Sequence, residues 1–239
     1  MTIKGDGMAF PEAGRRARIA RKTRETSIEL ELNLDDPSVC EVQTGIGFFD
    51  HMLAALSKHG RLGLRVEASG DLHVDQHHLV EDVGIALGAA FREALGDDLR
   101  IRRFAHAYAP LDDALARAVV DVSGRAYLHY GLKLARPLVG GFDTDLVREF
   151  FQAFVSNAAL SLHLDLLHGE NTHHQIEAAF KATALALREA VRREPALGEV
   201  PSTKGTLSER AARAPAAGAT KAATAATAAK AARSPRKRR

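Results

Sequence analysis

The sequence contains little cysteine, few aromatic residues and no long apolar run, and each shortage excludes a class of protein. Cys40 is the only cysteine among 239 residues, so an intrachain disulfide and a zinc cage of cysteine thiolates are both excluded. Tryptophan is absent and aromatic residues make up 5% of the chain, which argues against a protein that stacks nucleic-acid bases. Because no apolar run approaches the roughly 18 residues that a membrane helix needs, we expect no membrane span.

The N-terminus and the overall composition are typical of a cytoplasmic globular protein. Residues 1–18 lack the apolar core of a secretory signal peptide, so we expect a cytoplasmic location. The hydrophobic fraction is 46%, which is ordinary for a folded domain. A chain of this length can bury its core as one domain or as two similar halves.

The net charge of +3 is divided unevenly along the chain. Residues 206–239 hold nine Lys or Arg and one acidic residue, Glu209, whereas the preceding 205 residues hold 24 basic and 29 acidic side chains. The final segment is also rich in alanine and poor in bulky apolar residues, so we expect a disordered basic tail. The alternative is a basic arm that contacts nucleic acid or another polyanion without sequence preference.

Two stretches of the form His-His-x-x-Glu carry the strongest chemical signal: His77-His78-Leu79-Val80-Glu81 and His173-His174-Gln175-Ile176-Glu177. Each opens an apolar pattern typical of a helix. On a helix, residues three and four apart are neighbours, so both histidines of a motif can approach its glutamate. Adjacent histidines point about 100° apart, so the two histidines of one motif are expected to serve different ions. The repeated motif predicts two transition-metal sites in a duplicated fold.

The apolar patterns predict the same order of elements twice. The first half has a strand at 28–34 with 39–44 as its hairpin partner, a helix capped by Asp50 and closed by Gly60, a strand at 62–68, an extended piece at 72–74 and a helix from His77 to Gly96. The second half has strands at 101–108, 114–122 and 126–133, a helix at 144–157 capped by Asp143 or Thr144, a strand at 160–167 and a helix from His173 to Glu194. Because the period is too long for a solenoid, we expect a duplicated α+β domain.

Matching the two halves extends the motifs to two sets of candidate ligands. The shift that places His77 on His173 also places His51 of the first short helix opposite Glu149 of the second. The first set is His51, His78, His173 and Glu177, and the second is Glu149, His174, His77 and Glu81. Imidazole and carboxylate ligands without thiolate suit Mn²⁺, Fe²⁺, Co²⁺ or Zn²⁺. The alternative is that these histidines are neutral rings that cap helices or line the core.

Seven short stretches, spread over about residues 20–207, carry a family resemblance: Arg24-Glu25-Thr26, GIGFFDHML at 45–53, GDLH at 70–73, HHLVED at 77–82, SGR at 123–125, NTHHQIEAAFK at 171–181 and VPSTKG at 200–205. In these stretches the chain resembles the imidazoleglycerol-phosphate dehydratase family. The chain departs from the family pattern at Glu149, where the family usually has histidine, and at Gln76, where it usually has aspartate. Glutamate can still ligate Mn²⁺, so we expect a filled second site of altered affinity.

The resemblance implies an α+β fold of two halves that are each similar to the second domain of ribosomal protein S5. Each half would have a four-stranded sheet and two helices, with the helices packed between the sheets. The domain would span 15–205, with halves at about 20–97 and 98–195, between a flexible leader at 1–14 and the basic tail at 206–239. Family resemblance further implies a homo-oligomer of 24 subunits, with metal sites completed across subunits.

The activity that the resemblance implies is the Mn²⁺-dependent dehydration of D-erythro-1-(imidazol-4-yl)glycerol 3-phosphate to 3-(imidazol-4-yl)-2-oxopropyl phosphate, a step of L-histidine biosynthesis. Two Mn²⁺ ions per active site would hold the substrate imidazole as an electron sink. Glu25 would be the acid/base group that moves the carbon-bound proton. The substrate-binding residues implied by the family are Glu25, His59, Arg103, Arg125, Lys181, Ser202 and Lys204.

Two other functions are compatible with the same ligands. One is a dinuclear metallohydrolase, which needs a carboxylate that bridges two ions about 3.5–4 Å apart. The other is a non-catalytic shell protein assembled by metal ions, in which Glu149 has disabled the second site.

Overall fold

The computed structural model describes residues 14–96 and 100–194, and its two halves repeat one arrangement of strands and helices. The first half comprises β1 (Arg16–Lys22), β2 (Thr26–Asn33), β3 (Cys40–Gln43), α1 (Gly47–Gly60), β4 (Gly63–Gly70) and α2 (His77–Leu95). The second half comprises β5 (Phe104–Leu111), β6 (Ala114–Asp121), β7 (Tyr127–Gly131), β8 (Leu138–Val139), β9 (Phe142–Asp143), α3 (Leu146–Ala158), β10 (Ser161–His168) and α4 (Thr172–Ala190). The basic tail and, apart from Gly14, the leader lie outside the described residues.

Each half forms a four-stranded sheet with the same connectivity. The strand orders are β1-β2-β4-β3 and β5-β6-β10-β7. In each sheet the first three strands pair antiparallel, whereas the last pair, β3 with β4 and β7 with β10, is parallel. A parallel pair needs a crossover connection, which contains α1 in the first half and α3 in the second. This repeat confirms the predicted duplication and the α+β class.

The four helices of the described ranges lie between the two sheets and build the core with them. Helix α2 packs against β1 and β2, α4 packs against β5 and β6, and the helix pairs α2–α3 and α1–α4 are in contact. In strand β2, for example, one face packs into this core: Ile28, Leu30 and Leu32 are buried, while Glu29 on the other face is exposed. In the described part of the chain, no helix is both long enough and apolar enough to cross a membrane.

Two glycines allow α2 and α3 to approach closely. A Cβ at Gly84 would lie 2.8 Å from the carbonyl oxygen of Phe150, and a Cβ at Gly88 would collide with the carbonyl oxygen of Phe154. Gly84 faces Phe150 and Gly88, one turn later, faces Phe154. The two helices therefore run in the same direction, and their first turns lie side by side. This packing brings His77 at the start of α2 to the same cavity as Glu149 in the first turn of α3.

The pairing predicted for residues 39–44 is wrong, because β3 pairs with β4 rather than with β2. Both edges of β2 are occupied, by β1 and by β4. Helix α1 carries the chain from β3 to a parallel position beside β4. Strand β1 has no counterpart among the predicted elements, because its sequence RARIARK contains one large apolar residue, Ile19.

The predicted starts of both short helices are also wrong. Helix α1 begins at Gly47, so Asp50 lies within its first turn rather than at its N-cap. Asp50 instead accepts hydrogen bonds from the backbone N–H and the hydroxyl of Thr44, at 2.9 and 2.6 Å, and thereby fastens the preceding loop to the helix. Helix α3 begins at Leu146, beyond both caps predicted for it, because the residues before it form the short β8–β9 hairpin.

Two further boundaries differ because of backbone hydrogen bonds outside the regular elements. Backbone hydrogen bonds join residues 100–103 to residues 190–194. These bonds replace the regular pattern at the start of β5 and at the end of α4. Helix α4 therefore ends at Ala190 rather than at Glu194, and β5 begins later than predicted. Residues 72–74 form a turn rather than an extended piece.

Candidate metal centres

One cluster of potential metal ligands forms where the first turns of α4 meet α1. His173 and Glu177 lie one turn apart on α4, and His51 faces them from α1. Their ligand atoms lie within 4.8 Å of one another, with Glu177 Oε2 3.1 Å from His51 Nε2 and 3.2 Å from His173 Nε2. The Glu177 side chain is 12% exposed and that of His51 is 50% exposed. The cluster is therefore accessible from solvent on its imidazole side.

The start of α4 separates the two histidines of its motif. The side-chain oxygen of Asn171 accepts the backbone N–H groups of His173 and His174, at 2.9 and 3.4 Å, as an N-cap residue does. His173 then faces His51, with ring centroids 5.7 Å apart, whereas His174 Nδ1 lies 2.6 Å from Asp113 Oδ1. The neighbouring histidines therefore point to different surroundings, as the rotation of about 100° per helical residue predicts.

Glu177 is held as a carboxylate by cationic and hydrogen-bonding neighbours. Lys181 Nζ lies 2.7 Å from Glu177 Oε1. Burial alone raises the pKa of Glu177, but hydrogen bonds from Lys181 and His51 outweigh burial and lower the pKa to about 2. Burial, with a further contribution from the Lys181 cation, lowers the pKa of His59. This side of α4 therefore combines an ionised carboxylate with a histidine that favours its neutral form.

A second group of candidate ligands lies where the first turns of α2 and α3 meet. His77 and Glu149 line a cavity of about 540 Å³, and His77 Nε2 is 3.9 Å from Glu81 Oε2. Gln76 lines the same cavity and donates from its side-chain amide to the carbonyl of Gly141 at 3.2 Å. The two positions at which the sequence departs from the resembled pattern, Gln76 and Glu149, therefore share one cavity.

The second histidine of the first motif lies in a separate cluster. His78, Asp71 and Glu25 place ligand atoms within 4.8 Å of one another. His78 Nδ1 is 3.1 Å from Asp71 Oδ2 and 3.8 Å from Glu25 Oε2. Its hydrogen bond with Asp71 raises the pKa of His78.

Asp113 holds the second histidine of the other motif. Its Oδ1 faces His174 Nδ1, and its Oδ2 accepts the backbone N–H groups of Glu170 and Asn171, at 2.5 and 2.9 Å. These bonds, chiefly the one from Glu170, hold the pKa of Asp113 far below its usual range. Asp112 is a looser neighbour, with 3.7 Å between its Oδ2 and His174 Nε2.

Within one chain, the structure clusters three members of the first predicted ligand set, and in the second set it places His77 near Glu81 and in one cavity with Glu149. The cluster of His51, His173 and Glu177 excludes His78. The fourth member of the second set, His174, lies beside Asp113. Sequence reasoning missed the partnership of Asp71 and Asp113 with histidines. The position of Asp71 inside the GDLH stretch was the available signal, but its partner could not be inferred from spacing.

The predicted substrate-binding residues fall in different places. Glu25 lies in the turn before β2, while His59 and Lys181 lie beside the Glu177 cluster. Arg103 bonds to Asp121 at 2.8 Å, at the end of β6 remote from Asp113. Arg125 follows the same end of that strand. Ser202 and Lys204 lie outside the described residues.

The comparisons with known proteins all find members of the same enzyme family. Residues 44–187 match the family model described as imidazoleglycerol-phosphate dehydratase. An imidazoleglycerol-phosphate dehydratase of Aminomonas aminovorus is 55% identical over 194 residues, which is 81% of this chain and 100% of that protein. The crystal structure of the dehydratase from Staphylococcus aureus matches with a TM-score of 0.69 at 42% identity, over 75% of this chain and 99% of that one. The Pyrococcus furiosus structure, a complex with (S)-C348, matches with a TM-score of 0.68 at 36% identity, over 78% and 99%.

Proposed function

The chain belongs to the imidazoleglycerol-phosphate dehydratase family and is a hydro-lyase, and on this basis we propose which residues bind the metal ions, bind the substrate and transfer the proton. Two divalent ions, Mn²⁺ by preference, serve each active site, and each ion takes ligands from two subunits. The observation that carries this proposal is the mutual approach of His51, His173 and Glu177. The reaction is the dehydration of D-erythro-1-(imidazol-4-yl)glycerol 3-phosphate to 3-(imidazol-4-yl)-2-oxopropyl phosphate in L-histidine biosynthesis.

The chemistry of the first ligand group fits a divalent ion. Two imidazole nitrogens and one carboxylate oxygen meet at a solvent-accessible position, and the low pKa of Glu177, about 2, keeps its carboxylate charged. Such mixed ligands suit Mn²⁺ and its first-row neighbours. When bound, the ion would act as a Lewis acid on the substrate imidazole. In our proposal His78 of a neighbouring subunit completes this group.

The second ion is assigned to Glu149, His77 and Glu81, with His174 from a neighbouring subunit. In support, His77 and Glu149 already line one cavity of about 540 Å³. This cavity also has acidic side chains, namely those of Asp75, Asp143 and Asp145, so it favours a cation. Carboxylate is a ligand that suits Mn²⁺, so Glu149 can take the place of an imidazole.

Glu25 is our candidate for proton transfer at the substrate carbon. No carbonyl group acidifies that carbon-bound proton, so a positioned acid/base group is needed. The Glu25 side chain is 55% exposed, and its Oε2 is 3.8 Å from His78 Nδ1, too far for a hydrogen bond. A carboxylate with this freedom beside a proposed metal ligand can reach a substrate held there.

The phosphate and hydroxyl groups of the substrate are assigned to the remaining family positions. These are His59, Arg103, Arg125, Lys181, Ser202 and Lys204. Charge-assisted hydrogen bonds from arginine and lysine are the strongest that a phosphate can accept. Because Arg103 and His174 lie toward opposite ends of the second sheet, we infer that one active site combines residues of different subunits.

This arrangement requires a homo-oligomer, which we propose is a 24-subunit shell in the cytoplasm. The domain boundaries at 15 and 205 remain predictions from the sequence. So does the role of the basic tail, for which nucleic-acid binding is the alternative to a solvated extension. We expect a chain without residues 206–239 to retain its dehydratase turnover.

One assay tests the proposed function. Metal-stripped protein is incubated with the imidazoleglycerol phosphate substrate, with and without Mn²⁺, and the oxopropyl phosphate product is measured. Product that depends on Mn²⁺ supports the proposal, and its absence would overturn it. Mn²⁺ binding without turnover would instead favour the metal-assembled shell protein. A dinuclear hydrolase is disfavoured because, among the described residues, the cluster of His51, His173 and Glu177 shares no carboxylate with the cluster of Glu25, Asp71 and His78.

A further inference from the structure

The second histidine of each motif is bonded through the same ring nitrogen to a carboxylate. His78 Nδ1 lies 3.1 Å from Asp71 Oδ2, and His174 Nδ1 lies 2.6 Å from Asp113 Oδ1. An ionised carboxylate only accepts hydrogen bonds, so Nδ1 must carry the ring proton in both histidines. In a neutral imidazole the other nitrogen, Nε2, then has a free lone pair. Each pairing therefore selects the tautomer that binds a metal ion through Nε2.

The two carboxylates come from different places in the duplicated fold. Asp113 directly precedes β6, the place that Glu25 holds before β2. Asp71 directly follows β4, the place that Gly169 holds after β10. A side chain has little room at Gly169, because a Cβ there would lie 3.0 Å from both Ala114 Cβ and Gln175 Cγ. Each half thus holds its histidine with one carboxylate. In the first half this carboxylate follows β4, and in the second half it precedes β6.

Because Asp71 holds His78, Glu25 does not hold a histidine in the way that Asp113 does. Both oxygens of Asp113 are engaged, by the His174 ring and by the backbone N–H groups of Glu170 and Asn171. The Glu25 carboxylate, by contrast, stands 3.8 Å from His78 Nδ1, because Asp71 occupies the hydrogen-bonding position.

We propose that Asp71 and Asp113 are positioning residues that fix the metal-binding tautomers of His78 and His174, and that Asp71 thereby frees Glu25 to face the substrate. The inference rests on the proposed function, since it assigns both histidines to metal ions. It goes further by explaining why two similar halves supply one acid/base group of the Glu25 kind. In the second half, Asp113 stands at the position that corresponds to Glu25. Because Asp113 holds His174, it is not free to transfer a proton.

The first test is Asp113→Asn in the full-length chain, with Mn²⁺ binding measured by calorimetry on metal-stripped protein. The asparagine oxygen can still accept the N–H groups of Glu170 and Asn171. Its NH₂ group then faces His174 Nδ1 and forces the proton to Nε2, which can no longer bind a metal ion. Loss of such a supporting partner lowers metal affinity about 10- to 100-fold. We expect this loss at one of two sites, while circular dichroism shows that the metal-free variant keeps its fold.

The second test concerns Asp71 and does not depend on the fold of the first variant. Within the described residues, the Asp71 carboxylate forms its hydrogen bonds and ion pair with His78 alone. The double variant Asp71→Ala/Glu25→Ala is compared with Glu25→Ala, so that no acceptor at position 25 can take over the hydrogen bond. Glu25→Ala should keep both Mn²⁺ affinities and lose turnover, whereas the double variant should also lose about 10- to 100-fold in affinity at one site. Asp36→Asn is the control, because Asp36 bonds to a loop N–H away from both clusters.

The outcomes separate this inference from the proposed function. If the unmodified chain binds no Mn²⁺, both are overturned. If it binds two ions and Asp113→Asn, while folded, binds them equally well, the positioning role is overturned and the proposed function stands. Should Asp113→Asn fail to fold, the Asp71 comparison decides, and equal affinities of the double variant and Glu25→Ala would overturn the inference.

Discussion

Lys181 donates a hydrogen bond to Glu177, with 2.7 Å between Lys181 Nζ and Glu177 Oε1. The other carboxylate oxygen of Glu177 faces His51 and His173. One oxygen is therefore neutralised by a fixed cation of the same helix, while the other is directed to the candidate metal position. This arrangement keeps a mostly buried carboxylate charged before any ion arrives.

The charge of Glu177 should be essential for metal binding. In Glu177→Gln the shape is kept but the anionic oxygen between the two histidines is lost. We expect Mn²⁺ affinity at this site to fall by at least about tenfold, since changes to supporting partners alone cost that much, and turnover to fall with it. Calorimetry and product formation measure both. Glu189→Gln is the matched control on the same helix, because Glu189 pairs with Arg102 away from the cluster; wild-type Mn²⁺ affinity in Glu177→Gln would contradict the assignment.

Glu149 should set the metal preference of the second site. Carboxylate suits Mn²⁺, whereas imidazole suits Zn²⁺ and other later first-row ions. We therefore expect Glu149→His to raise the ratio of Zn²⁺ to Mn²⁺ affinity at one site, on the order of tenfold. Competition between the two ions during metal loading measures this ratio. Gln152→His provides a control on the same helix, because Gln152 bonds to Ser156 rather than lining the cavity. An unchanged ratio in Glu149→His would remove Glu149 from the ligand set.

Much of the fold could be predicted because its signals are local. The alternation of Ile28, Leu30 and Leu32 with polar residues identifies β2, and the paired motifs identify the starts of α2 and α4. The match of His51 with Glu149 also predicted which short-helix residues would approach the motifs. The alternation in β2 lies within one element and depends on burial, whereas the match of His51 with Glu149 depends on the internal duplication.

The remaining features depend on contacts between distant segments. Strand β3 lies beside β4 because α1 crosses between them, and its own four residues carry no sign of that partner. The partnership of Asp113 with His174 joins a hairpin turn to a helix 61 residues away. The separation of His78 from His51 likewise follows from how the helices pack. The repeated motif identifies the candidate ligands, but only tertiary packing shows how they are grouped.

Gly88 should be required for the close packing of α2 and α3. In Gly88→Ala the new Cβ would collide with the carbonyl oxygen of Phe154 and press on Asn157 Cβ at 2.8 Å. Overpacking of this kind costs about 1–3 kcal/mol in the free energy of unfolding, which denaturant titration measures. Gly47→Ala is the matched control at the start of α1, because nothing lies within 4 Å of a Cβ there. If both variants unfold at the same denaturant concentration, the proposed role of the glycine in helix packing is wrong.

The ion pair of Arg15 with Asp35 should make stability depend on pH in the acidic range. Burial alone raises the pKa of Asp35, but hydrogen bonds from Arg15 outweigh burial and lower it. A carboxyl whose pKa is lower in the folded state stabilises the fold above its unfolded pKa, about 4, and loses that contribution as pH falls further. Arg15 also donates to the carbonyl of Val191 at 2.6 Å, so it joins β1 to the chain that follows α4.

Replacing Arg15 therefore tests both contacts at once. We expect Arg15→Met to reduce the free energy of unfolding at pH 7 by roughly 1–3 kcal/mol, because its side chain is 10% exposed and its partners would lose hydrogen bonds. The matched control is Arg18→Met, whose ion pair with Glu29 is largely exposed and should contribute less than about 1 kcal/mol. Denaturant titrations at pH 7 and pH 3 measure the difference between Arg15→Met and the unmodified chain. Protonation of Asp35 should make that difference smaller at pH 3, and a constant difference would show that the Val191 contact alone accounts for the effect.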